Sequence, residues 1–201
     1  MSSIRPAEPA RERRILLIGA PGAGKGTQAE HIAERYGIAH ISSGDLLRKH
    51  MADDTYIGRQ ARSYVERGDL VPDRIVMNIL YQPVIEASKR GGYVLDGFPR
   101  TVEQAKAAYE TAGDLGVAVQ VAVHIDVPNE ELVRRLLARK RGSEDTADVI
   151  AHRIEVYQER TMPLLDYYAE REKLIVVNGG RPVGEVTWSI MVQLQRTLAR
   201  S

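Results

Sequence analysis

The chain has 201 residues, 43% of them hydrophobic, enough for one domain with its own core and too many for wholesale disorder. Its net charge of +1 supplies no global field to recruit nucleic acid or an anionic membrane, so any cationic site must be local. The absence of cysteine excludes disulfides and cysteine-ligated zinc and is compatible with a reducing cytoplasm, and no apolar run approaches the ~18 residues of a membrane span.

Residues 1–12 carry prolines and arginines without the apolar stretch of a secretory signal, and read as a frayed tail ahead of a single domain over 13–201. Ile15-Leu16-Leu17-Ile18 has the continuous apolar pattern of a strand buried on both faces. A glycine-rich turn, Gly19-Ala20-Pro21-Gly22-Ala23-Gly24-Lys25-Gly26-Thr27, leads into a helix from Thr27 to about Tyr36. Gly22 and Gly24 let successive backbone N–H groups turn inward, and the helix adds its unpaired first-turn donors. Lys25 adds a mobile point charge. The spacing fits the P-loop pattern, with Gly26 in the usual Ser/Thr slot and Thr27 one position later, so this stretch reads as a phosphate cradle.

A short second strand follows at Ile38 to Ile41, then Ser42-Ser43-Gly44-Asp45-Leu46-Leu47-Arg48, where either serine can cap a helix carrying Arg48. From Asp53 to about Lys89 the pattern is helical with breaks at Gly58, Gly68 and Pro72, the look of a small helical flap. Tyr93 to Asp96 is a third strand, ending in the turn Asp96-Gly97-Phe98-Pro99-Arg100 before a helix from Thr101 to about Ala112. Val117 to Asp126 reads as a fourth strand, and a helix opening at Pro128-Asn129 carries Arg135 and Arg139 on one face. After a short basic and polar segment, Lys140 to Thr146, one helix runs to about Glu170 with Ile150, Ile154, Tyr157, Thr161, Leu164 and Tyr168 as its buried stripe. Leu174 to Val177 is a fifth strand, and a last helix presents Val183, Val186, Ile190, Leu194 and Leu198. Trp188 and the Tyr167-Tyr168 pair read as packing residues, and the five histidines show no metal-ligand spacing.

Strands alternate with helices throughout, which predicts a parallel sheet covered on both faces, with ligands beyond the carboxyl ends of the strands. The phosphate cradle, Ser42-Ser43, Asp96 and Asp126 all fall at such ends. Arg48 and Arg100 follow strand-end turns, and Arg135, Arg139, Arg141 and Arg153 flank Gly142.

Taken in order, the glycine turn, Ser42 to Arg48, Gly68-Asp69-Leu70-Val71-Pro72, Asp96 to Arg100 with Gln104, Arg135 to Arg139, Arg153 with Tyr157, and Gly180-Arg181-Pro182-Val183 resemble the adenylate kinases of the nucleoside monophosphate kinase family. The resemblance covers about Arg14 to Leu198. It implies a P-loop three-layer α/β/α sandwich with a five-stranded parallel sheet, an AMP-binding flap at about 43–72 and a short lid at about 138–150. It also implies reversible transfer of the γ-phosphoryl of Mg-ATP to AMP, giving two ADP.

By that similarity Gly22, Ala23, Gly24, Lys25, Gly26 and Thr27 hold the ATP phosphates. Arg135 and Arg181 flank the ATP adenine, and Thr27 and Asp96 orient Mg²⁺ through its waters. Arg48 and Arg100 clamp the AMP phosphate; Ser43, Val65, Val71, Gly97 and Gln104 form the rest of the AMP site. Lys25, Arg100, Arg139, Arg141 and Arg153 stabilise the transferred group. The family's Gly-Arg-x-Asp-Asp lid pattern reads here Lys140-Arg141-Gly142-Ser143-Glu144-Asp145, so Arg141 fits only with a slip of about one residue. The expected protein is a cytoplasmic monomer that binds ATP, AMP and ADP, without structural zinc, nucleic acid or membrane. A UMP/CMP kinase of the same fold, or a slow ATP-binding regulatory P-loop protein, are the competing readings.

Overall fold

The computed structural model describes residues 12–139 and 142–199. Strands β1 (Arg13–Ile18), β2 (Ala39–Ser42), β3 (Gly92–Asp96), β4 (Val121–Asp126) and β5 (Leu174–Asn178) form one all-parallel sheet in the order β2-β3-β1-β4-β5. The helices are α1 (Lys25–Tyr36), α2 (Ser43–Ala52), α3 (Tyr56–Arg67), α4 (Asp73–Lys89), α5 (Val102–Asp114), α6 (Asn129–Arg139), α7 (Ala147–Val156), α8 (Pro163–Ala169) and α9 (Val183–Leu198). None of them is long and apolar enough to cross a membrane.

The period-two alternation of a strand splits the core into two layers. Ile15, Leu17, Val94, Val123 and Ile125 pack with residues of α1, α6, α7 and α9, whereas Leu16, Ile18, Tyr93, Leu95 and Ala122 face α4, α5 and α8. This is the expected sandwich. Register sets Leu17 opposite Asp96, Ile18 opposite His124 and Ser42 opposite Asp96, so the carboxyl ends of the central strands open together. The chain passes from β1 through α1 to β2 on one side, and from β3 through α5 to β4 on the other, which leaves a crevice above β1.

Several elements differ from the sequence reading. Helix α1 begins at Lys25, because Gly24 at φ +90° already supplies the entry turn. Gly58 lies inside α3: a Cβ there would be 2.0 Å from the His50 carbonyl, so its glycine serves the close crossing of α2 and α3. The predicted fourth strand is shorter, since the carbonyls of Val117, Ala118 and Val119 accept from Tyr93 Oη, Arg14 Nε and Lys173 Nζ rather than from a neighbouring strand. The long helix to Glu170 divides into α7, a π-turn at Tyr157–Thr161 and α8. Pro163 has no N–H to continue the ladder, and Met162 N donates five residues back to Tyr157 O at 3.0 Å. Trp188 is 70% exposed and Val183 53%, so neither packs in the core, whereas Tyr167 and Tyr168 are buried edge to face.

Candidate active site

The glycine turn is built for close approach. Gly22 sits at φ +86°, and a Cβ on it would lie 3.0 Å from Leu136 Cγ and 3.1 Å from Leu132 O, so the turn seats directly on α6. Ala23 N closes the turn on Ala20 O at 3.1 Å. Behind it the first turn of α1, through Lys25, Gly26 and Thr27, opens onto a cleft of about 480 Å³. The N–H donors of that turn have no intrahelical partners, and the helix dipole adds to their attraction for an anion.

Lys25 Nζ lies over the same turn, donating to Gly19 O at 2.8 Å and Ala20 O at 3.1 Å. Burial pulls its pKa below the ordinary lysine value; Asp96 pulls back, while Arg100, Arg153 and Arg139 add to the lowering. Asp96 ends β3, and its Oδ1 is buried with no hydrogen-bond partner. An acceptor stranded in this way costs about 1–3 kcal/mol unless something donates to it. A hydrated cation beside the phosphate cradle answers that need, so Asp96 and the nearby exposed Thr27 fit a Mg²⁺ whose waters they would hold.

The second cationic group comes from α2 and the turn after β3. Ser42, not Ser43, caps α2, its hydroxyl accepting from Asp45 N at 3.2 Å. One turn on, Arg48 pairs with Asp45 at 2.6 Å and reaches Glu144 at 3.6 Å. Gly97 at φ +83° turns the chain so that Arg100 folds inward, its Nε donating to Gly97 O at 2.8 Å. Burial lowers the Arg100 pKa, Arg48 adds to the lowering, and Asp96 and Glu144 oppose it.

The third group lies on α6 and α7. Arg139 grips the buried Asp145 through two bonds of 3.0 and 2.5 Å. Arg153 lies 3.4 Å from Glu144 and 4.0 Å from Asp145, with its pKa lowered to about 10 chiefly by burial. Arg135 donates to Gly179 O at 3.0 Å and to Glu131 at 2.6 Å; bonds from Arg134 and Arg135 hold the Glu131 carboxyl at about 2.

Of the residues picked out in the sequence, Gly22, Gly24, Lys25, Gly26, Thr27, Arg48, Asp96, Gly97, Arg100, Arg135, Arg139 and Arg153 line this one cleft. Ala23, Ser43, Val65, Val71, Gln104 and Arg181 do not appear in its wall. Ala23, Ser43, Val71 and Gln104 are buried, with Ser43 Oγ lacking a partner; Val65, on α3, is half-buried against the second core layer. Arg181 is exposed, 3.8 Å from Glu185. Arg141 and residues 1–11 lie outside the described residues.

The sequence reading missed the acidic partners Glu144 and Asp145, which stood in plain sight as a carboxylate pair among arginines. Tyr157, read as part of the buried stripe, does pack against the core, and it lines the cleft as well, its hydroxyl 3.1 Å from His124 Nε2.

The adenylate kinase family model matches residues 17–173. The chain is 44% identical over 182 residues to the adenylate kinase of Leptospira biflexa, covering 89% of this chain and 98% of the relative. It is 42% identical over 181 residues to adenylate kinase 1 of Nostoc sp., covering 90% and 98%. It is 40% identical over 185 residues to the adenylate kinase of Thermobifida fusca, again covering 90% and 98%. With the phosphate cradle, the two arginine groups and the strand order in place, the chain belongs to the adenylate kinase family.

Proposed function

We propose that the chain transfers the γ-phosphoryl of ATP reversibly to AMP, giving two ADP. The observation that carries this reading is the pairing of two anion clamps in one cleft. The glycine turn with Lys25 forms one, Arg48 with Arg100 the other, and Arg139 and Arg153 lie along the same wall. ATP and AMP bring about −4 and −2 charges to such a site near neutral pH. The attacking phosphate oxygen of AMP is already ionised, so the reaction asks for no general base and no covalent intermediate. Positioning by the two clamps, and the fixed positive charge of buried guanidinium groups, carry the rate. Mg²⁺ bound with ATP neutralises phosphate charge, and Asp96 and Thr27 are the residues that would orient its waters. Ser43, Val65, Val71, Gly97 and Gln104 surround the acceptor base in this reading. Arg135 and Arg181 flank the ATP adenine, and Arg141 joins Arg139 and Arg153. The region of about 43–72 serves as the AMP flap and that of about 138–150 as the lid. One chain supplies every group the reaction needs, which favours a monomer, and the absence of cysteine suits a cytoplasmic enzyme.

ADP formation from ATP and AMP tests the proposal, with wild type measured beside Lys25→Met and Arg100→Ala. Each substitution is expected to lower kcat/KM by ~10²–10³, the scale of a lost charged contact in the transition state. ATP binding without transfer to AMP would favour the regulatory reading, and faster transfer to UMP or CMP would favour the pyrimidine one.

A further inference from the structure

Gln104, buried at the start of α5, makes two side-chain bonds of opposite sense. Its Oε1 accepts from Arg100 N at 2.7 Å, and its Nε2 donates to Asp73 Oδ1 at 2.6 Å. A carboxamide has nearly the same shape when rotated by half a turn, but its donor and acceptor ends exchange places. Here the backbone N–H can only donate and the carboxylate can only accept. Rotation would set two donors face to face at one end and two acceptors at the other, so the orientation is fixed by its neighbours.

Each of these bonds uses one lone pair or one N–H of the amide and leaves one of each. Adenine presents a donor at its 6-amino group beside an acceptor at N1. Hypoxanthine presents the reverse, an acceptor at O6 beside a donor at N1. An amide held in one orientation matches one of these edges and opposes the other, whereas an amide free to rotate serves both. We infer that Asp73, on the first turn of α4, is a positioning residue that sets adenine specificity by fixing the Gln104 amide. The inference rests on the reading of Gln104 as the group that meets the acceptor base. Asp73 reaches Gln104 from the helix that follows the proposed flap, so the reading edge is held from two separate elements, the turn after β3 and α4. The bond to a carboxylate is the stronger kind of anchor, because its acceptor is charged.

The test measures kcat/KM with ATP for AMP and for IMP, in wild type, Asp73→Asn, Asp73→Ala and Gln104→Ala, with a thermal unfolding curve for each. Asp73→Asn keeps the size of the anchor but offers a donor as readily as an acceptor, so it removes the carboxylate half of the lock and leaves the Arg100 N–H as the one remaining bias. The expected result is that Asp73→Asn narrows the AMP/IMP ratio by about tenfold or more, with kcat/KM for AMP falling and that for IMP rising or holding. Asp73→Ala should narrow it as well. A ratio unchanged in both Asp73 variants, while Gln104→Ala collapses it, overturns the role of Asp73 and leaves Gln104 as the reader. Equal losses for both substrates as the melting temperature falls would overturn it too, since that is what a purely structural tie between α4 and α5 would give. An unchanged ratio in Gln104→Ala overturns the reading of Gln104 and this inference with it.

Discussion

Gly97 meets two demands that only a residue without a side chain can satisfy. Its φ of +83° turns the chain out of β3, and a Cβ there would stand 2.6 Å from Ser43 Oγ and 3.5 Å from Arg100 Nη2. Ser43 is 1% exposed, so its hydroxyl has nowhere to retreat. Gly97→Ala should therefore cost about 2–4 kcal/mol of stability, from backbone strain together with the displaced serine. Because the clash lies on the Arg48–Arg100 side, KM for AMP should rise more than KM for ATP. Urea unfolding and two-substrate kinetics check both points; an unchanged midpoint with an unchanged KM for AMP would show that the turn tolerates a side chain. The turn itself was legible from Asp96-Gly97-Phe98-Pro99, since glycine and proline signal through local backbone rules. The contact with Ser43 was not, because it is set by how closely α2 approaches that turn in three dimensions.

At the scale of elements, β4 and the π-turn are joined by the bond between His124 and Tyr157. Burial holds the His124 imidazole below its usual pKa; Asp126 opposes this and Lys25 assists it. The folded chain thus keeps this histidine neutral at pH values where the unfolded chain, titrating near 6.5, has taken up a proton. Stability from this group is complete above about pH 6.5 and is lost as pH falls through the folded value. His124→Gln keeps a nitrogen able to reach Tyr157 but does not titrate. Its stability should therefore drop less than that of wild type between about pH 7.5 and pH 5.5. Denaturant melts at the two pH values decide it, and parallel losses in both proteins would show that His124 is not the group responsible. The five strands and their helices could be read from apolar runs and caps, because buried parallel strands carry that pattern in their own residues. For the fourth strand the reading failed for a tertiary reason, since side chains from distant elements claimed the carbonyls of Val117 to Val119. Ahead of α8 the cause was local, a proline whose missing N–H shifted the ladder.

For the molecule as a whole, the proposed flap touches both the proposed lid, through Glu144, and the part of α7 just beyond it, through His152 and Arg153. His152 Nε2 lies 2.8 Å from Asp69, Arg48 lies 3.6 Å from Glu144, and a Cβ on Gly68 would stand only 2.7 Å from Arg153 Cγ. Glu144 and Asp145 at the same time hold Arg48, Arg139 and Arg153, the cations proposed to receive phosphate oxygens. Phosphate oxygens arriving in the cleft compete with these carboxylates for the guanidinium donors, and in the proposed reaction product release calls for the flap and lid to part. The contacts of Arg48 with Glu144 and of His152 with Asp69 are partly exposed and of modest strength, so they can be broken in every turnover, whereas the pair of Arg139 with the buried Asp145 is the firmer one. Closure is also what the chemistry requires, because a cleft open to water would let ATP hydrolyse in place of transfer. Opening is a diffusive motion of whole segments through solvent, whereas phosphoryl transfer inside the closed cleft does not feel solvent friction. Steady-state kcat is therefore expected to fall in inverse proportion to relative viscosity in sucrose. A polymeric thickener, which raises bulk viscosity without slowing small displacements, should have little effect. A kcat indifferent to sucrose would place the slow step in the chemistry and refute opening as the limit.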